Sequence, residues 1–181
     1  MVMGPKQLGH LVIRVKDLDK AEEFYTRILG LKIMQKYPGN ALFMSANDEL
    51  SHELAIFKAD DDAPGPDEKR VGLVHMAFQM ESMEDLKSMH KRLKENNIEV
   101  DHYGDHGLSL GVYFLDPEGN EIETYYELPK AEWITDGEHL FDQKQIHFGE
   151  SKFPEILEDN GSTVGRELSR EQAQAQITNL K

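Results

Sequence analysis

The chain has 181 residues, 39% of them hydrophobic, which suits one domain or two small modules sharing a core. It carries 20 basic and 34 acidic residues, a net charge of −14, so the Lys and Arg clusters that meet nucleic acid phosphates or anionic lipid are not expected. The absence of cysteine excludes disulfides, thiolate metal sites and thiol nucleophiles, and leaves any metal to the eight histidines with Asp and Glu.

The opening "MVMGPKQLGH" lacks the basic-then-apolar layout of a secretion signal, and no apolar run is long enough to span a bilayer, so a cytoplasmic address with no membrane partner is expected. Behind His10 comes an apolar strand, then a helix capped by Asp17 with a stripe at Ala21, Phe24, Tyr25, Ile28 and Leu29, ended by Gly30. Three strands follow, "LKIMQKY", "NALFMSA" and "HELAIFKA", and then the solvated connection "KADDDAPGPDEK".

At an offset of 65 residues the pattern repeats from His75. A strand leads to a helix capped by Ser82, with a stripe at Leu86, Met89 and Leu93, and then to "IEVDHYG", "LGVYFLD" and "NEIETYYE". "DPEGN", residues 116–120, places Pro and Gly where a hairpin turn needs them. The expectation is an α+β fold: two βαβββ modules, about 8–65 and 71–127, forming a strongly curved mixed sheet with helices outside. Residues 129–181 read as a C-terminal arm carrying Trp133, Phe141, Phe148 and Phe153. A short helix ends it, with a capping box at Ser169 and Gln172 and a stripe at Ala173, Ile177 and Leu180.

His10 and His75 occupy the same place in the two repeats, and Glu121 and Glu123 share one face of the last strand. Two imidazoles and one carboxylate meeting in a concave sheet make a facial triad, which leaves about three positions of an octahedral divalent ion open. A strand histidine is most often an ordinary hydrogen-bonded residue. Its recurrence at equivalent positions, and a carboxylate beside Ile122, Tyr125 and Tyr126 that costs several kcal/mol to desolvate unless paired, favour the metal.

The fragments "LGHLVIRVKDLDKAEEFYTRILGL", "SHELAIF", "VGLVHMAF" and "HGLSLGVYFLDPEGNEIETY", in that order and spacing, resemble the vicinal oxygen chelate superfamily and within it the type I extradiol ring-cleaving dioxygenases, over about residues 8–127. The resemblance implies that His10, His75 and Glu123 bind Fe(II), with Mn(II) as the other candidate. It implies that His52 is the acid-base histidine and that Tyr113, ten residues before Glu123, and His106 line the substrate side. An imidazole suits proton transfer in both directions near neutrality. The implied partners are a small aromatic diol, O₂ and further copies of the chain. Two departures stand out: "KADDDAPGPDEKRVG" lengthens the connection from His52 to His75, and the chain has a single pair of modules where many such dioxygenases have two.

Two rival functions share the fold. Glyoxalase I and methylmalonyl-CoA epimerase take a fourth ligand from the last strand of the first module, and Glu53 adjoins His52 there. Strand alternation makes the two exclusive, and a metal-facing Glu53 implies proton abstraction beside a carbonyl. Bleomycin-resistance members bind an aromatic or antibiotic ligand without turnover, and lack a complete triad. His90, His102, His139 and His147 have weaker claims.

Overall fold

The computed structural model describes residues 4–67, 69–106, 108–130 and 155–158. They fall in two compact units, one within Met1–Gly72 and Asp116–Asn120, the other within Leu73–Leu115 and Glu121–Lys181. The expectations for Trp133, Phe141, Phe148, Phe153 and the helix with Ser169, Gln172, Ala173, Ile177 and Leu180 lie outside the described residues.

The first unit runs β1 (Leu11–Val15), α1 (Leu18–Glu23), β2 (Lys32–Tyr37), β3 (Ala41–Ser45) and β4 (Leu54–Lys58). Its sheet has the order β1-β4-β3-β2, parallel between β1 and β4 and antiparallel elsewhere. Asp17 caps α1 by accepting the Lys20 N–H at 3.0 Å. The expected stripe is buried at Ala21, Phe24, Tyr25 and Ile28, against a core that includes Ile13, Val15, Leu54 and Ile56.

A regular helix to Gly30 is not what forms. From Phe24 to Ile28 the chain winds as a π-helix, and the Leu29 N–H reaches the Phe24 carbonyl at 3.3 Å. Gly30 then takes a φ of 81°, open to glycine at no steric cost. Tyr25, fully buried, donates its hydroxyl to Asp116 at 2.9 Å. The Asp116 carboxylate also accepts from the Glu118 and Asn120 N–H groups and the Asn120 amide. Glu118 in turn accepts the Lys16 and Asp17 N–H groups. The 116–120 turn therefore does more than connect two strands, because it belongs to the first unit and is clamped there.

The second unit runs β5 (His75–Gln79), α2 (Met83–Glu95), β6 (Val100–Asp105), β7 (Ser109–Leu115) and β8 (Glu121–Glu127), with sheet order β5-β8-β7-β6. Ser82 caps α2 by accepting the Asp85 N–H at 3.2 Å. A helix of 13 residues is marginal alone, and burial of Leu86, Met89 and Leu93, at about 1.5–3 kcal/mol each, holds it. His90 is buried on the same helix, with Nε2 2.9 Å from the Tyr103 hydroxyl. A 3₁₀ turn, Glu155–Glu158, sets Glu158 beside Lys94 at 2.7 Å and buries Leu157.

Among the described residues, hydrogen bonding thus groups eight strands as two four-stranded mixed sheets, one per repeat, in the expected α+β arrangement. Both second strands carry a bulge at the same place, between Ile33 and Gln35 in β2 and between Val100 and His102 in β6. Among the described residues no helix is long and apolar enough to cross a membrane.

Candidate active site

In the second sheet, cross-strand register gathers the polar residues on one face. His75 pairs with Glu121, Ala77 with Glu123, Tyr113 with Glu123 and His102 with Tyr113. The buried Glu123 carboxylate accepts the Tyr113 hydroxyl at 2.8 Å through Oε1 and stands 3.3 Å from His75 Nε2 through Oε2. Glu121 Oε1 lies 3.3 Å from the other ring nitrogen, Nδ1. The His106 Nε2 is 3.1 Å from the Tyr113 hydroxyl, and the His102 ring stacks on Tyr113 with centroids 4.0 Å apart.

Burial first, and then the Glu123 carboxylate, push the Tyr113 phenol well above its ordinary range, so it stays a donor. Its one proton goes to Glu123, and the His106 nitrogen therefore donates to the phenol oxygen. Two glycines make room for this chain. A Cβ at Gly111 would meet Glu123 Oε1 at 2.5 Å and Tyr113 Cε2 at 3.0 Å, and one at Gly104 would meet Tyr113 Cε2 at 2.9 Å and His106 Nε2 at 3.0 Å. Gly104 and Gly111 are register partners, so together they form the floor on which the tyrosine ring rests.

In the first unit His10 stands just before β1, and its ring lies 4.6 Å from that of His52. The His52 ring meets Phe43 edge-on at 5.2 Å, and its Nδ1 is 3.1 Å from the Ser51 hydroxyl. Glu53 is turned elsewhere, since its carboxylate accepts the Ala46 N–H at 3.2 Å while its backbone bonds Met44 and Leu11. The expected alternation does not apply across these residues, because the chain bends at Glu53 and β4 begins only at Leu54.

Register also shows what a fourth ligand would have to be. Val12 pairs with Ala55 in the first sheet as Ala77 pairs with Glu123 in the second, so Ala55 holds the place of Glu123. Glu53, one residue before the paired Leu54, holds the place of Glu121.

The sequence gives His102 only a weak claim and carries no signal for Asp101. Among the described residues, Asp101, His102 and Glu121 are a group of three whose ligand atoms lie within 4.8 Å of one another. In a regular strand, neighbours point to opposite faces. The β6 bulge breaks that rule, and Asp101 Oδ2 sits 2.7 Å from His102 Nδ1. His90 lies on α2 and contacts Tyr103, and His139 and His147 lie outside the described residues.

A family model for the Glyoxalase/Bleomycin resistance protein/Dioxygenase superfamily matches residues 7–124. The chain belongs to this superfamily. Within it, the chain is 29% identical over 132 residues to catechol-2,3-dioxygenase of Bacillus subtilis (strain 168), covering 72% of this chain and 45% of that one. It is 29% identical over 124 residues to biphenyl-2,3-diol 1,2-dioxygenase 3 of Rhodococcus globerulus, covering 68% and 64%. The matched part thus spans about half to two thirds of these relatives' length. A crystal structure of lactoylglutathione lyase from Agrobacterium tumefaciens superposes with a TM-score of 0.55 at 28% identity, over 68% of this chain and 96% of that one. Superfamily membership and this structural match agree with the paired-module architecture read from the repeat.

Proposed function

We propose that the chain is an Fe(II)-dependent extradiol dioxygenase, with Mn(II) as the alternative metal, that opens a catechol-type ring beside its two hydroxyls and retains both atoms of O₂ in the product. The observation that carries this reading is the partition around the start of β4. His52 packs on His10, Glu53 is engaged by the Ala46 N–H, and Ala55 stands where a fourth ligand would arise. The similarity to two ring-cleaving dioxygenases supports it.

The residues suit such an ion. Glu123 is a carboxylate at 7% exposure, and a buried anion costs several kcal/mol unless a cation or strong donors offset it. His75 offers a ring nitrogen on its Oε2 side. His10, His75 and Glu123 would hold the metal, which when bound supplies charge neutralisation and brings diol and O₂ together. His52 takes a proton from a diol hydroxyl and returns one to the opened product, with the Ser51 hydroxyl steadying its Nδ1. Tyr113, kept protonated, fixes Glu123, and His106 steadies the phenol from its other side. Phe43, edge-on to His52, gives an aromatic ring an apolar wall. The proposal includes self-association, as the paired modules of this superfamily imply.

Likeness to lactoylglutathione lyase favours one second reading, proton abstraction beside a carbonyl with Glu53 as a fourth metal ligand. It requires Glu53 to leave the Ala46 N–H. Anaerobic loading with Fe(II), followed by oxygen and a panel of catechols, separates the two. Oxygen uptake and a yellow ring-fission product are expected. No uptake with any diol, alongside isomerisation of a compound with a C–H beside a carbonyl, would replace ring cleavage by the second reading.

A further inference from the structure

The open face of β8 carries two acidic residues near His75, and the proposed function uses only Glu123. The parallel register sets His75 opposite Glu121 and Ala77 opposite Glu123, so two carboxylates two residues apart flank one imidazole. Their oxygens stand at 3.3 Å from its two nitrogens, Glu121 at Nδ1 and Glu123 at Nε2. Glu121 is half-buried, which limits the water that could take its place at Nδ1.

A neutral imidazole has one N–H and one lone pair, and a nitrogen that binds a metal must be the bare one. The two carboxylates stand equally far from the ring, so either nitrogen carries the proton until a metal takes Nε2, and Glu121 is then the acceptor beside the remaining Nδ1–H. Such outer partners orient the ring and raise its basicity, and their loss costs about 10–100-fold in metal affinity. From this arrangement we infer that Glu121 is a positioning residue: it fixes the His75 proton on Nδ1 and presents Nε2 to the metal. The inference rests on His75 being a ligand. Glu53, in the equivalent place of the first sheet, bonds the Ala46 N–H instead, so the brace is particular to the second module.

Glu121 has one competing engagement, since it also closes the group with Asp101 and His102. The test therefore compares the intact chain with Glu121→Ala, Glu121→Gln, His75→Ala and Glu123→Ala, loaded with Mn(II) for affinity and with Zn(II), a diamagnetic stand-in, for imidazole ¹H–¹⁵N spectra. The expected result is one ion per chain, bound about 10–100-fold more weakly by Glu121→Ala. Glu121→Gln, whose amide oxygen still accepts, should rescue affinity to within a few-fold. The His75 Nδ1–H resonance should persist in the intact protein and in Glu121→Gln and exchange away in Glu121→Ala.

Unchanged affinity and a persistent Nδ1–H in Glu121→Ala would overturn the inference while leaving the ligand reading in place. Metal binding that survives His75→Ala and Glu123→Ala would remove the ligand reading and the inference with it. A second ion lost together in Glu121→Ala, Asp101→Ala and His102→Ala, with the first bound as before, would assign Glu121 to that cluster instead.

Discussion

The two modules share a scaffold and differ in what they put on it. Strand order, bulge position and a leading histidine recur, and register aligns the open faces residue by residue. Gln35–Phe43 in the first sheet corresponds to His102–Tyr113 in the second, Tyr37–Ala41 to Gly104–Gly111, and Ala55 to Glu123. One sheet thus offers an apolar wall with two imidazoles beside it, and the other a buried carboxylate, a phenol and a glycine floor. On the proposed function, proton transfer and ring packing fall to residues of the first copy and the anionic ligand to the second.

Breaking the imidazole side of that division has the largest expected effect. His52→Ala should lower ring cleavage by about 10²–10⁴-fold, the usual worth of a positioned acid-base group, while Glu53→Gln should leave it within a few-fold. Steady-state oxygen uptake measures both, and the reverse result would move the chemistry to Glu53.

Making the second floor resemble the first comes next. Gly111→Ala, which places there the residue that Ala41 supplies in the first sheet, drives a Cβ against Glu123 and Tyr113. A displacement of about 1 Å costs roughly 100-fold, so oxygen uptake should fall by that order. Equal activity would show that the tyrosine has room elsewhere.

Tyr113→Phe copies Phe43 and removes one donor to Glu123. A loss of about tenfold in kcat/KM is expected, corresponding to about 1.4 kcal/mol for the hydrogen bond. The smallest effect lies away from the open face. Desolvation holds His90 below its ordinary range, against the pull of Glu158 and with the push of Lys94. The unfolded chain therefore takes up this proton first as pH falls. Stability present above about pH 6.5 is lost as pH drops from there through the depressed folded value. Urea unfolding at successive pH values should show that slope, and His90→Gln should flatten it.

Much of this molecule is legible in its sequence because local rules agree with the fold. Asp17 and Ser82 cap the helices, the stripes from Ala21 and Leu86 are buried, and the six expected strands after the helices form within a residue or two of their quoted limits. What escapes is set by geometry with no local signal. The π-helix from Phe24 goes with a buried bond from Tyr25 to Asp116, 91 residues away. Alternation should have arbitrated between His52 and Glu53, but it stops at the bend before Leu54. The same limitation hides Asp101 and His102, which a bulge brings together. Gly104 and Gly111 look like ordinary strand glycines until the tyrosine ring above them is seen.

The central claim is the ligand set, and Fe(II) content per chain after anaerobic loading tests it most directly. One ion is predicted for the intact protein and for Glu53→Gln, and none for His10→Ala, His75→Ala or Glu123→Ala. Iron retained in all three alanine variants, or lost from Glu53→Gln, would contradict it.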